Sequence, residues 1–267
     1  MIYLFFLIAL CSGALPAPLY ANHELIKLSP SEVATLGRKI WHNECGASVE
    51  KLTWWKKGEE FASLGIGHFI WFPAHYHGPF KQQFPTLLNF LKKHGIKLPA
   101  WLRGNHVHCP WKTHEEFYRD INSPRMQELR TLLSKTIKLQ AQFIVQQFQH
   151  SLQATLKKLP AKTYNRTHIQ QQLHRILTCY QGVYALIDYA NFKGMSAMHE
   201  QYNGHGWGLM DVLNHMQGTS LGCGCLHDFT KAAKEVLLQR VVNSPPARNE
   251  AQWLPGWFNR VDTYVKF

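Results

Sequence analysis

The chain has 267 residues and a formal charge of +12, from 29 Lys and Arg against 17 Asp and Glu, with 16 His besides. Its hydrophobic share of 45% and aromatic share of 13% are enough to close a core, which excludes a disordered polyelectrolyte and a fibrous repeat. The length allows one large domain or two small ones.

Residues 1–21 carry no charged side chain, and Met1–Cys11 is almost wholly apolar. With Ser12, Gly13, Ala14 and then Leu19-Tyr20-Ala21 as small-residue cleavage options, the pattern predicts a secretory signal over 1–21 and a periplasmic or secreted mature chain. The alternative is a buried N-terminal helix. The apolar run is too short for a spanning helix, which needs ~20 residues, and no later stretch offers a transmembrane segment. Cys11 follows Leu10 rather than a small residue, a poor setting for a lipid anchor. Cys45, Cys109, Cys179, Cys223 and Cys225 remain, an odd set that leaves at least one thiol outside any internal bridge. One or two disulfides suit an oxidising compartment, with the connectivity open.

Ser29-Pro30-Ser31-Glu32 predicts a helix start: a hydroxyl cap, proline at the first helical position, and glutamate three residues after the cap. Val33, Leu36, Ile40 and Glu44 follow at helical spacing. An apolar face thus ends in a carboxylate, a costly place for one unless the helix end opens onto a cleft. After Cys45-Gly46 the period changes. Thr, Trp, Val and Ile over 49–67, with Lys56-Lys57-Gly58 as a turn signal, predict a β-hairpin or small sheet in a lobe of about 45–78.

Beyond Pro79 the chain reads mainly helical. Phe84 to His94 is stopped by Gly95, and Thr113 with Glu116 forms a second capping box for 113–120. Ser123-Pro124 then opens a stripe of Met126, Leu129, Leu133, Ile137, Ile144, Phe148, Leu152 and Leu156, one helix or two joined by a kink. Shorter helices are expected near 168–192, 206–216, 228–242 and 247–262. The fold class is therefore α+β, mainly α, with residues 22–267 as one domain: a helix ending in Glu44, a β-hairpin, then a helical bundle.

The charge is unevenly placed. Residues 22–78 hold six acids and six Lys or Arg, whereas 129–187 hold eight Lys or Arg and no acid. This is either a solvated basic face or a means of steering toward an anionic polymer. Common signatures are missing: Gly65-Ile66-Gly67-His68 lacks the third glycine of a dinucleotide loop, and neither a Walker loop nor a Gly-x-Ser-x-Gly elbow occurs. No zinc-finger spacing or aromatic RNA-binding motif supports a nucleic-acid partner.

The segment from Trp41 to Trp71 is more specific. A helix ending at Glu44 is followed by a hairpin and by Ser63-Leu64-Gly65-Ile66-Gly67-His68-Phe69. Over residues 29–71 this resembles the phage-type lysozymes of the lysozyme-like superfamily, in which a glutamate at the end of a first helix precedes a hairpin and a Thr-x-Gly-x-Gly-His strand. The resemblance implies a lysozyme-like fold, Glu44 as the catalytic glutamate, Ser63 in place of the threonine, and Gly65, Gly67 and His68 as the strand motif.

Elementary chemistry points to the same glutamate. Glycoside cleavage needs a carboxylic acid to protonate the leaving oxygen and a second group to stabilise the cationic centre or activate water. A carboxyl at the end of an apolar face, near the negative end of the helix dipole, is expected to hold its proton toward neutral pH. The family's second acid, an Asp nine residues after the glutamate, is missing, since position 53 is Thr and counting back from the glycines reaches Lys57. Glu50, Glu59 and Glu60 are the substitutes. If 59–64 is extended, Glu59, Phe61 and Ser63 share a face, which makes Glu59 the expected second acid and Ser63 a water-orienting group. Gly65 and Gly67 allow close backbone approach by a sugar chain or by the packed helix, and His68 is expected to fix the sheet; all three are taken as substrate-binding.

Trp54, Trp55 and Trp71 flank the hairpin as sugar platforms or core, with at least one expected to be exposed and Trp55 assigned to the substrate. Tyr184, Asp188, Tyr189 and Asn191, with the turn Tyr202 to Gly208, are candidates for the far wall of a cleft, as in lytic transglycosylases; Tyr189 and Asn191 are taken as substrate-binding. His75 with His77, His106 with His108 and Cys109, and Cys223 with Cys225 match no standard metal spacing, so no metal and no cofactor is expected. The expected partner is peptidoglycan or a related aminosugar polymer. The competing expectation is a non-catalytic wall-binding protein on the same fold.

Overall fold

Ser29 and Glu32 start the first helix by reciprocal capping: the Glu32 N–H donates to Ser29 Oγ at 3.3 Å, and the Ser29 N–H donates to the Glu32 carboxylate at 2.7 Å. This helix, α1, runs Pro30–Cys45 and stops where Gly46 takes a left-handed φ of 57°. The computed structural model describes residues 25–76, 78, 81–104, 107–196 and 201–266. The expected signal segment and Cys11, like His77 and His106, lie outside the described residues.

Val33, Leu36 and Ile40 bury the apolar face of α1. Gly37 permits close approach to α5 (Ile137–Lys158), because a Cβ there would meet Ala141 Cβ at 3.2 Å. The hairpin region forms a three-stranded antiparallel sheet in the order β1 (Thr53–Trp54), β2 (Ala62–Leu64), β3 (Phe69–Trp71). Thr53 pairs with Leu64, and Leu64 with Phe69. The expected extension from residue 59 does not occur: β2 begins at Ala62, and residues 59–61 are loop. Trp55 is the reason. Its ring is buried in the core, and its indole N–H donates to the Glu59 carbonyl at 2.7 Å, which bends the chain before the strand.

The remainder is helical: α2 Phe84–Lys93, α3 His114–Arg119, α4 Pro124–Lys135, α5, α6 Arg166–Leu177, α7 Tyr180–Lys193, α8 Leu209–His215, α9 Cys225–Asn243 and α10 Leu254–Asp262. The protein is α+β and mainly α. The long stripe is two helices. Thr136 separates them, buried, with its hydroxyl donating to the Leu132 carbonyl at 2.8 Å, and the buried Gln140 amide donates to the Leu133 carbonyl at 2.6 Å. Apolar side chains from Ile26 to Tyr264 form one continuous core that joins sheet and helices. No helix among the described residues is long and apolar enough to cross a membrane.

Cys179 and Cys223 form a disulfide that ties the α6–α7 junction to the loop before α9. Cys45, Cys109 and Cys225 are buried thiols. Burial pushes Cys45 up to about 11 and Cys109 up to about 12, which keeps both protonated and unreactive.

The Gly-rich turn 202–208 is anchored by packing. Arg240 lies 4.0 Å from the Trp207 ring and pairs with the buried Glu250 through Nε at 2.6 Å and Nη2 at 2.8 Å. The Tyr202 hydroxyl also donates to Glu250, at 2.9 Å. The Arg240 hydrogen bonds hold the Glu250 carboxyl below its ordinary range. A carboxylate depressed in the folded state stabilises fully above its unfolded pKa and loses that contribution as pH falls through the folded value. Glu250→Gln should therefore cost roughly 1.5–3 kcal/mol at neutral pH, with the gap to wild type closing below about pH 4. Urea unfolding at several pH values checks this; a gap independent of pH would contradict it.

Candidate active site

Asp188 stands in the apolar run of α7 and is 6% exposed, so its charge must be met inside the protein. The C-terminal helix meets it. Arg260 of α10 donates Nε to Oδ2 at 2.9 Å and Nη2 to Oδ1 at 2.8 Å, and the Tyr264 hydroxyl donates to Oδ2 at 2.6 Å. Tyr184, one turn before Asp188, donates to Oδ1 at 3.4 Å and itself accepts from the Asn43 amide. Burial first, and the Asp188 charge next, push both tyrosine hydroxyls up, while the Asp188 hydrogen bonds push the Arg260 guanidinium up.

The same guanidinium faces Glu44. Glu44, in the last turn of α1, has Oε1 3.6 Å from Arg260 Nη2 and Oε2 3.8 Å from His68 Nε2. Its side chain is 37% exposed, open to a cleft of about 530 Å³. Asn43 and Glu44 line one wall, Gly67 and His68 another, and Ile144, Gln147, Phe148 and Ser151 of α5 a third. The α5 residues recur at the spacing of one helical face.

The turn between β2 and β3 is shaped from behind. Gly65 has φ 70°, and its N–H donates to the Leu52 carbonyl at 2.8 Å. The Ile66 N–H donates to Gln140 Oε1 at 3.0 Å, with Gln140 held by the α4–α5 break. His68 follows with a left-handed φ of 47°, its side chain directed into the cleft.

Of the residues expected at the site, the structure brings together Glu44, Gly67, His68, Tyr184, Asp188 and Asn191. Glu59 is instead on the hairpin loop, 3.8 Å from Lys56 Nζ, because the bend at Trp55 removes the strand that was to carry it inward. Ser63 is buried within β2, between Trp54 and Ile70. Gly65 backs onto Gln140, where a Cβ would collide with Oε1. Trp55 is core, and Tyr189 is fully buried with its hydroxyl donating to the Trp207 carbonyl at 3.0 Å. Trp54 is the exposed tryptophan of the hairpin, at 46%, edge-on to Tyr118. Cys223 is committed to the disulfide, and no group of three metal-ligating side chains occurs among the described residues.

Comparison with protein-family models, curated proteins and solved structures finds no match. The assignment of roles rests on the site itself. A wider groove of about 720 Å³ beside the turn at 204–206 contains Asp211 and Glu235. Asp211 accepts from Tyr164 there and Glu235 pairs with His215, both as side-chain anchors of α8 and α9.

Arg260 and Tyr264 are the residues that sequence reasoning missed. The available signal was indirect: Asp188 is the first acid after 129–187 and sits in Val183–Ala190, where an unmet charge is not tolerated.

Gly65 and Gly58 separate the two requirements on the hairpin backbone. Gly58 has φ 89° with nothing within 4 Å of an added Cβ, so Gly58→Ala bears only left-handed strain of about 1–2 kcal/mol. Gly65→Ala bears the same strain plus displacement of Gln140, and should be the more destabilising by about 1–3 kcal/mol. Equal denaturation midpoints would show that Gln140 does not hold the turn.

Proposed function

We propose that the chain is an exported enzyme that cleaves glycosidic bonds in peptidoglycan or a related aminosugar polymer, on a lysozyme-like arrangement, with Glu44 as general acid. The observation that carries the reading is the placement of Glu44: the end of a helix with one buried face, opposite the Gly-x-Gly-His turn, at the side of a cleft with several polar lining groups. A proton donor there can reach a glycosidic oxygen laid across the cleft. Arg260 faces Glu44 with its charge already answered by Asp188, so it supports the ionised glutamate after proton transfer without presenting a bare cation.

The other carboxylate lining the cleft among the described residues, Asp188, is buried and fully engaged. A cleft with one available carboxylate favours a lytic transglycosylase route over two-carboxylate hydrolysis. In that route Glu44 protonates the leaving oxygen, the C1–O bond breaks, and a hydroxyl of the same sugar closes on C1 to leave an anhydro end. The amides of Asn43, Gln147 and Asn191 suit N-acetyl and hydroxyl groups, and Ile144 and Phe148 suit the apolar face of a sugar ring. The disulfide and the acid-free basic stretch 129–187 fit a periplasmic or secreted protein working beside an anionic wall.

Release of soluble muropeptides from purified cell wall tests the reading. Glu44→Gln should lower release by about 100-fold or more, with wall binding retained. Release that is equal in wild type and variant would contradict the assignment. Salt-sensitive binding by a wild type that releases nothing would favour a non-catalytic wall-binding protein.

A further inference from the structure

Glu44 and Asp188 do not complete the proton inventory of the cleft. Among the described residues, the titratable or charged groups that line the cleft with His68 are Glu44 from α1, Tyr184 and Asp188 from α7, and Arg260 from α10. The wall from α5 contributes Phe143, Ile144, Gln147, Phe148 and Ser151, none of them titratable. Asp188, Tyr184 and Arg260 are joined by hydrogen bonds in one cluster, and an arginine does not give up its proton. Among the described residues lining the cleft, His68 is the remaining titratable side chain. Its side chain is 36% exposed, against 37% for Glu44, so both are open to a bound chain.

The backbone gives an independent indication. His68 adopts φ 47°, a conformation uncommon for a residue with a Cβ, at the end of a turn whose flanking positions are glycines. Such strain persists where the surroundings impose it, and it clusters at functional sites. Here Gln140 and the Leu52 carbonyl fix the turn from behind, and the result is an imidazole swung toward Glu44 instead of one packed on the sheet.

We infer that His68 is a catalytic residue of the glycoside-cleaving reaction, serving as the base toward the attacking hydroxyl. This rests on the reading of Glu44 as the acid. Glu44 gives its proton to the glycosidic oxygen, the C1–O bond breaks, and the leaving sugar departs as an alcohol. The oxygen of the nucleophile, whether the sugar's own hydroxyl or water, bonds to C1, and its proton passes to His68 Nε2. The imidazolium returns that proton to Glu44, whose Oε2 is 3.8 Å away, within reach through one water. Both groups end as they began. Because acid and base are neighbours, the nucleophile enters on the face that the leaving oxygen vacates, and the configuration at C1 is retained.

The test uses His68→Asn and His68→Gly in the mature chain, since Asn and Gly both accept a left-handed backbone. Expected are wild-type thermal stability or better, a kcat lower by 10²- to 10⁴-fold, and KM within a few-fold. Any acid-side fall of kcat/KM in the wild type should be absent from His68→Asn. Added imidazole should restore part of the rate to His68→Gly. An unchanged rate and pH profile in His68→Asn, or an inactive His68→Gly that imidazole fails to rescue, overturns the role of His68. If Glu44→Gln is inactive in the same assay, the cleavage reading survives either result. If Glu44→Gln keeps wild-type release, that reading fails first.

Discussion

A charge buried in the helical core governs the layout around the cleft. Asp188 sits on α7 with almost no access to water, and a buried carboxylate left without a partner costs about 3–5 kcal/mol. Arg260 and Tyr264, one helical turn apart on the C-terminal segment, meet that demand, and so the end of the chain is locked against α7. The lock has a second consequence. The guanidinium that answers Asp188 also faces Glu44 at 3.6 Å, so three elements distant in sequence converge on one polar cluster at the mouth of a cleft.

The opposite wall depends on a different constraint. Thr136 interrupts what would be a single long helix, and the break turns Gln140 inward, where it satisfies the Ile66 N–H. The turn between β2 and β3 is thereby held on both sides, by Gln140 and by the Leu52 carbonyl. The consequences are a left-handed backbone at His68 and an imidazole 3.8 Å from the Glu44 carboxylate. The basic stretch lies outside this cluster: Lys135, Lys138, Lys157, Lys158 and Lys162 are exposed to solvent, whereas Arg175 is buried and pairs with Asp228.

The features legible in the sequence are those written in local chemistry. Ser29 with Glu32, Thr113 with Glu116, and Ser123-Pro124 mark helix starts that the structure keeps, because capping involves residues three apart. The carboxylate at the end of the apolar face of α1 was equally readable from spacing. Tertiary contacts were not. The pairing of Asp188 with Arg260 spans 72 positions and leaves no periodic trace. The hairpin shows the same limit at shorter range: alternation assigns Glu59 to the face of Ser63, but a single hydrogen bond from Trp55 to the Glu59 carbonyl bends the chain and turns that side chain toward Lys56. Tyr189 looked like a cleft residue because its neighbours are, yet the helical phase points it at Phe229 in the core.

The central claim is that the Glu44 cleft breaks the glycan backbone of a wall polymer. Mass spectrometry of the fragments that the wild-type protein releases from purified peptidoglycan tests it most directly. The account predicts disaccharide-peptides with the stem peptide intact and a new anhydro or reducing sugar end. Free peptides released from uncut glycan strands, or no soluble fragment at all, would contradict it.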